Sequence, residues 1–257
     1  DRANRLRWPR GRRRYDVALD YAESAINLDP MDPTAHRVYA FALINIGETE
    51  AAMEQLNQAI ALQPNMTAPY FELAFQYRAA DDMEMAVATY ETILTIDAGN
   101  PRANLRLCQL YVQIGQDNRA QTYCEAALSA DPNYAEAQST LGWVMYRRRN
   151  YESAIEMFET CEANMQAQGI AINEDTIRCY YMRGLAHYYL GECDQSWTLL
   201  NQSLPMAETL PSYAADTIGG QIRDGLSGVV ARCTAYLGRP MPTDIPPTPI
   251  PPTPIGG

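Results

Sequence analysis

Apolar positions in this chain recur at helical spacing, and the helical blocks then recur as wholes. Val38 and Ala42, followed by Met53, Leu56 and Ile60, outline two successive stretches with three- and four-residue steps, the pattern of two amphipathic helices. The blocks repeat every 34 residues. Ala18, Ala52, Ala86, Ala120 and Ala154 keep one register, and Ala25, Ala59, Ile93, Ala127 and Cys161 keep another. A third runs Tyr39, Leu73, Leu107 and Leu141, each followed at once by a small residue: Ala40, Ala74, Cys108 and Gly142. The breaks hold the same period. Pro30, Pro64 and Pro132 share a position, with Ala98 in the third place of that series, and Gly47 and Gly115 fall where one helix must turn into the next. In Asp29-Pro30 and Asp131-Pro132 the proline drives the preceding residue out of the helical region, which ends the second helix of a unit. Small residues at fixed places let two antiparallel helices approach closely. One hairpin cannot bury its apolar faces alone, so the units must stack.

These small, aromatic and proline landmarks resemble the tetratricopeptide repeat over roughly residues 15–204. Tyr15-Asp16-Val17-Ala18 through Asn27-Leu28-Asp29-Pro30, and Tyr151-Glu152-Ser153-Ala154-Ile155 through Cys161, are similar to the second helix of such a unit. The family's first-helix tryptophan is replaced by His36, Tyr70, Asn104 and Gln138, and Pro9 and Gly11 interrupt any first helix of the first unit. The resemblance implies an all-α, right-handed α-solenoid of five to six hairpins that works as a non-enzymatic interaction surface.

The period slips once. Gly184, Gly191, Ser196 and Ser203 match Gly142, Arg149, Ala154 and Cys161 at 42 residues, which places eight extra residues in or near 162–176 and predicts a longer helix or an inserted loop. Beyond it, Pro211 opens a further helix with Ile218, Ile222, Leu226 and Val230 on one face, stopped by Gly238 and Pro240. This reads as a capping helix. The expected organisation is a basic arm or incomplete first helix at 1–14, the solenoid at 15–204, the cap at 205–238 and an extended tail at 239–257. The tail repeats Pro-Pro-Thr-Pro-Ile at 246–250 and 251–255 and favours polyproline II, either as a linker or as a docking peptide presenting Ile245, Ile250 and Ile255.

Charge changes this picture at one end. The net charge is −11, which argues against nucleic acid as the main partner. Yet the first fourteen residues hold seven arginines against one aspartate, so the other 243 residues sum to −17. There is no lysine. An arm of this kind, with Arg10, Arg12, Arg13 and Arg14 at its core, suits assembly on an acidic surface. No apolar run is long enough for a transmembrane helix. The start at Asp1 fits either a trimmed cytosolic chain or a processed exported one.

Candidate chemistry is sparse. The two histidines, His36 and His187, lie in distant units; Asp81 and Asp82 suit helix capping; and Gly219-Gly220 sits inside the capping helix rather than in a phosphate loop. No catalytic residues, cofactor or metal site are expected. The six cysteines leave two readings open. Cys108 with Cys124, Cys161 with Cys179, and Cys193 with Cys233 are plausible disulfide pairs, which place the protein outside the cytoplasm or at the cell surface. Otherwise they are small buried residues of a cytoplasmic protein. Asn65 and Asn201 head N-glycosylation sequons, and Thr243, Thr248 and Thr253 resemble O-glycosylated linker positions.

Carried over residue by residue, the family's concave groove takes in Arg37, Phe41, Asn45, Phe71, Phe75, Arg78, Arg102, Leu105, Gln109, Gln113, Trp143, Tyr146, Tyr181 and Tyr188. The family's carboxylate-binding groove uses lysine, which this chain lacks. Two functions follow. One is a structural subunit that assembles head to tail into filaments through its termini. The other is a monomeric adaptor that captures a separate peptide or protein.

Overall fold

A computed structural model describes residues 10–233. The tail positions Ile245, Ile250, Ile255, Thr243, Thr248 and Thr253, and the side chains of Arg10, Arg12, Arg13 and Arg14, lie outside the described residues. Among the described residues the chain is all-α, with twelve helices in consecutive antiparallel hairpins: α1 (Arg10–Leu28), α2 (Pro33–Ile46), α3 (Thr49–Leu62), α4 (Thr67–Ala79), α5 (Met83–Ile96), α6 (Pro101–Gln113), α7 (Asp117–Ala130), α8 (Ala135–Arg147), α9 (Tyr151–Ala167), α10 (Glu174–Leu190), α11 (Cys193–Ala207) and α12 (Ser212–Arg232). No described helix is long and apolar enough to cross a membrane. The chain forms two compact units, one up to Ala103 and one from Asn104.

The packing rule of each hairpin is a trade in size between residues sixteen apart. The small residue of the first helix faces the bulky one of the second: Gly142 meets Phe158 and Gly184 meets Leu200, and Ala40 shares a core with Leu56. In the hairpin of α6 and α7 the same two places are Cys108 and Cys124, joined by a disulfide with their Cα atoms 5.2 Å apart. Next to these contacts, Ala52, Ala86, Ala120 and Ala154 are fully buried, as are Ala59, Ile93, Ala127 and Cys161. In the first unit Ala40, Leu43, Ala52, Leu56 and Leu73 form the core. In the second, Phe158, Ile177, Leu200, Ile222, Leu226 and Val229 do.

The turn between the two helices of a hairpin also repeats. Gly47, Asp81, Gly115, Arg149 and Gly191 all adopt positive φ, from 61° at Arg149 to 90° at Gly47. The left-handed turn is therefore a property of the hairpin, and two units make it without glycine. Asp82 then caps α5, its carboxylate accepting from the Met85 N–H at 3.1 Å.

By its register α1 is the second helix of the first unit; it starts at Arg10, directly after Pro9, with Gly11 in its first turn. One local expectation is corrected. Pro211 stands at the N-cap of α12 rather than in its first turn, whereas Pro205 lies inside α11. The eight extra residues go mostly into longer helices, the first of the two forms expected: α9 and α10 have 17 residues each against 14 and 13 in α7 and α8.

Candidate functional site

In the first unit the first-helix surface of α2 and α4 exposes aromatic rings between charged groups. Phe41 and Phe75, one period apart, are 53% and 49% exposed. Arg37 of α2 donates to Glu72 of α4 at 2.6 Å. Burial raises the Glu72 carboxyl above its ordinary range, and the Arg37 charge and hydrogen bond offset only part of that. Arg78 lies over the Phe75 ring at 5.4 Å, and Arg102 over Phe71 at 4.4 Å. Asn45 turns its amide back onto the Phe41 carbonyl, 2.7 Å away, which closes off part of its recognition capacity.

The second unit holds a cavity of about 350 Å³, lined by Gln109 and Val112 of α6, Thr140 and Trp143 of α8, Arg178 and Tyr181 of α10, and Gln221 of α12. Three successive first helices each contribute two residues three apart, which share a helix face. The walls are cross-braced. Arg106 and Gln109 both donate to Glu136 Oε1, at 3.0 and 2.8 Å, and this ties α6 to α8. Arg147 donates to the Val112 carbonyl at 2.9 Å and pairs with Asp117 at 3.3 Å. Arg178 pairs with Asp175 one turn back at 2.8 Å, half-exposed, so its guanidinium keeps donors to offer. Burial pushes the Tyr181 phenol up, with Arg178 opposing, so the phenol is a neutral hydrogen-bonding group at ordinary pH. Aromatic faces, two amides, a hydroxyl and one cation can grip an extended polypeptide by its side chains and backbone.

Of the residues expected in a groove, Gln109, Trp143 and Tyr181 meet in this cavity, while Gln113 and Arg102 are exposed elsewhere. Leu105 and Tyr146 are corrections: both are core residues, Leu105 with no exposed surface beside Ala127 and Ala137, and Tyr146 within a ring cluster with Trp143, Tyr151 and Tyr189. Tyr188 is another, since it lies against α12 at Gly228 with Arg232 over its ring. Their shared register with the half-buried Arg37, Phe71 and Arg78 fails because neighbouring hairpins cover different arcs of each first helix. Val112, Thr140, Arg178 and Gln221 escaped the sequence reading. Arg178 is three residues before Tyr181 and Thr140 three before Trp143, a helical spacing that could have picked them out. Gln221 has no periodic signal.

The other expected residues are placed plainly. His36 is buried, its ring nitrogens bonded to Gln55 and to the Pro30 carbonyl; His187 pairs with Glu192. Among the described residues no group of three His, Cys, Asp or Glu side chains is placed to hold a metal ion. Cys161 is joined to Cys179 and Cys193 to Cys233, with Cα separations of 6.3 and 6.1 Å. Asn65 is exposed in the turn between α3 and α4, whereas Asn201 is half-buried and donates to the Trp197 carbonyl.

A run of antiparallel helix hairpins on a 34-residue period, with exposed aromatic and polar groups on the first helices, defines a helical-repeat binding scaffold. Two family models of the tetratricopeptide repeat match the chain, one over residues 10–74 and 77–123 and the other over 105–165. The chain belongs to the tetratricopeptide-repeat family, a family of protein–protein interaction scaffolds. It is 26% identical over 145 residues, 56% of its length, to the TPR repeat-containing protein YpiA of Bacillus subtilis (strain 168), of which it spans about a third (34%). Among solved structures it is similar to YrrB, a TPR protein with an unusual peptide-binding site: 17% identity, TM-score 0.59, covering 77% of this chain and 97% of that one. It is also similar to PilW, a widely conserved type IV pilus biogenesis factor: 18% identity, TM-score 0.63, covering 79% of this chain and 90% of that one. At these identities the likeness is one of fold.

Proposed function

We propose that this chain is an extracytoplasmic docking scaffold that holds an extended protein segment in the cavity framed by α6, α8, α10 and α12. The observation that carries this reading is the convergence of Trp143, Tyr181, Gln109, Gln221, Thr140 and Arg178 on one 350 Å³ space. A cavity of that size accepts one or two side chains of a bound segment, and its polar groups can pair with the segment's backbone. Three disulfides suit an oxidising compartment, where they persist. The head-to-tail filament through residues 1–14 and 240–257 is a second reading, supported by the charge asymmetry of the sequence.

Selection of a displayed random-peptide library on the oxidised chain tests the capture reading. Bound peptides should lose at least tenfold in affinity to Arg178→Ala and should crosslink to a photoreactive group placed at Gln221. Peptides that bind without regard to Arg178 and Gln221, or a selection that enriches nothing, would refute the site.

A further inference from the structure

The lining of the second unit's cavity is unbalanced in its hydrogen-bonding groups. It holds one cation, Arg178, and no carboxylate, in a chain whose net charge is −11. Acceptors are few. The Gln109 side-chain oxygen already accepts from Arg106 at 2.6 Å. The Thr140 hydroxyl donates its proton to the Glu136 carbonyl at 2.8 Å and keeps only lone pairs. Donors are in surplus. Arg178 gives N–H groups to Asp175 and to the Tyr181 oxygen and has others to offer. The Tyr181 oxygen accepts there, so its own O–H is left to donate. The indole N–H of Trp143 and the side-chain amide of Gln221 have no hydrogen-bond partner among the described residues.

A surplus of donors calls for an occupant that brings acceptors. An ionised carboxylate only accepts, through two oxygens. Its charge also answers Arg178, and hydrogen bonds between ionised groups are stronger than neutral ones. An amide or hydroxyl occupant would bring donors of its own, for which the lining offers little beyond the Gln221 oxygen and the Thr140 lone pairs. The rest of the wall adds a second requirement, since Trp143 and Val112 present apolar surface beside the donors. In an extended segment, residues two apart point to the same side, so an acidic residue and an apolar one at that spacing enter together. The charge of the chain limits the number of acids: at −11, a carboxylate left outside the cavity meets repulsion.

We propose that the cavity framed by α6, α8, α10 and α12 is a receptor for a single Asp or Glu side chain, carried on an extended segment with an apolar residue two positions away. This rests on the capture of a segment in that cavity and adds what the segment must contain. The carboxylate accepts from Arg178, the Tyr181 hydroxyl and the Gln221 amide, and the apolar side chain lies on Trp143.

The test uses peptides selected on the oxidised chain, resynthesised with acetylated and amidated ends so that only a side chain can supply a carboxylate. Those that need Arg178 and crosslink at position 221 should share one Asp or Glu. Replacing that residue by Asn or Gln should weaken binding at least about tenfold, the scale of a hydrogen bond to a charged group. The amide peptide should then be indifferent to Arg178→Ala, because the two changes remove the same interaction. Arg178 and Asp175 form a half-exposed pair one turn apart, so the variant should keep its helical circular dichroism. Peptides that need Arg178 and crosslink at 221 yet share no acid, or that keep their affinity when the acid becomes an amide, overturn the carboxylate assignment and leave capture in the cavity standing. So does binding that returns only with a free C-terminal carboxylate. Peptides that ignore both positions, or a selection that enriches nothing, overturn capture itself and the carboxylate assignment with it.

Discussion

Adding one methyl group at Gly142 should destabilise the protein, although the substitution places alanine in a helix. A Cβ at 142 would lie 2.7 Å from Cε1 and 2.9 Å from Cδ1 of Phe158. Phe158 is fully buried and its ring is held by the core of the second unit, so it cannot swing clear. Overpacking of this kind costs roughly 1–3 kcal/mol. Against it stands a gain of about 1 kcal/mol for replacing glycine inside a helix. The net loss is about 1 kcal/mol, a fall in Tm of roughly 2–4 °C for a domain of this size. The same geometry predicts a reversal of sign. In the first unit the equivalent pair is Ala40 with Leu56, both fully buried. With Phe158→Leu already in place, Gly142→Ala recreates that pair and should now stabilise by up to about 1 kcal/mol. Gly220, whose Cβ would meet nothing within 4 Å, is the control, and Gly220→Ala should raise stability in either background. Denaturant unfolding of the four proteins of the cycle, followed by fluorescence of the adjacent Trp143, gives the coupling. If Gly142→Ala has the same effect with Phe158 as with Leu at that position, the size-trade account of these hairpins is wrong.

Two further outcomes follow from the turns and the disulfides. Arg149 adopts φ 61° at the place where Gly47, Gly115 and Gly191 stand in other hairpins; the left-handed region costs a non-glycine residue about 1–2 kcal/mol, so Arg149→Gly should gain on the order of 0.5–1 kcal/mol after the entropy cost of glycine, and a fall in the urea midpoint would contradict it. All three disulfides lie in the second unit, closing separations of 16, 18 and 40 residues. Loops of that length contribute typically about 2–4 kcal/mol each, so reduction should strip hydrogen-exchange protection from α6–α12 and leave α2–α5 unchanged, and equal loss in both units would contradict this.

Much of the hairpin geometry was legible because it is local. A small residue at 40, 142 or 184 and a larger partner sixteen later are what two antiparallel helices need to meet, so periodicity in sequence is periodicity in packing. The exposed positions Phe41 and Phe75 followed from the same register. The candidate site was only partly legible. Trp143 and Tyr181 could be placed near a groove by family register, but Leu105 and Tyr146 turned inward from that same register. A helix position is known to about a third of a turn from spacing, and which third faces a cavity depends on how neighbouring hairpins cover it.

By itself, then, the sequence determined the helices, their pairing and the 34-residue repeat, since each rests on contacts between residues a few turns apart. Only the tertiary structure decided the rest. It put Gln221 of α12 into a cavity with Gln109 of α6, more than a hundred residues away, and it placed Leu105 and Tyr146 in the core. Those outcomes turn on which helix lies next to which, and no local pattern encodes a neighbour that is distant in the chain.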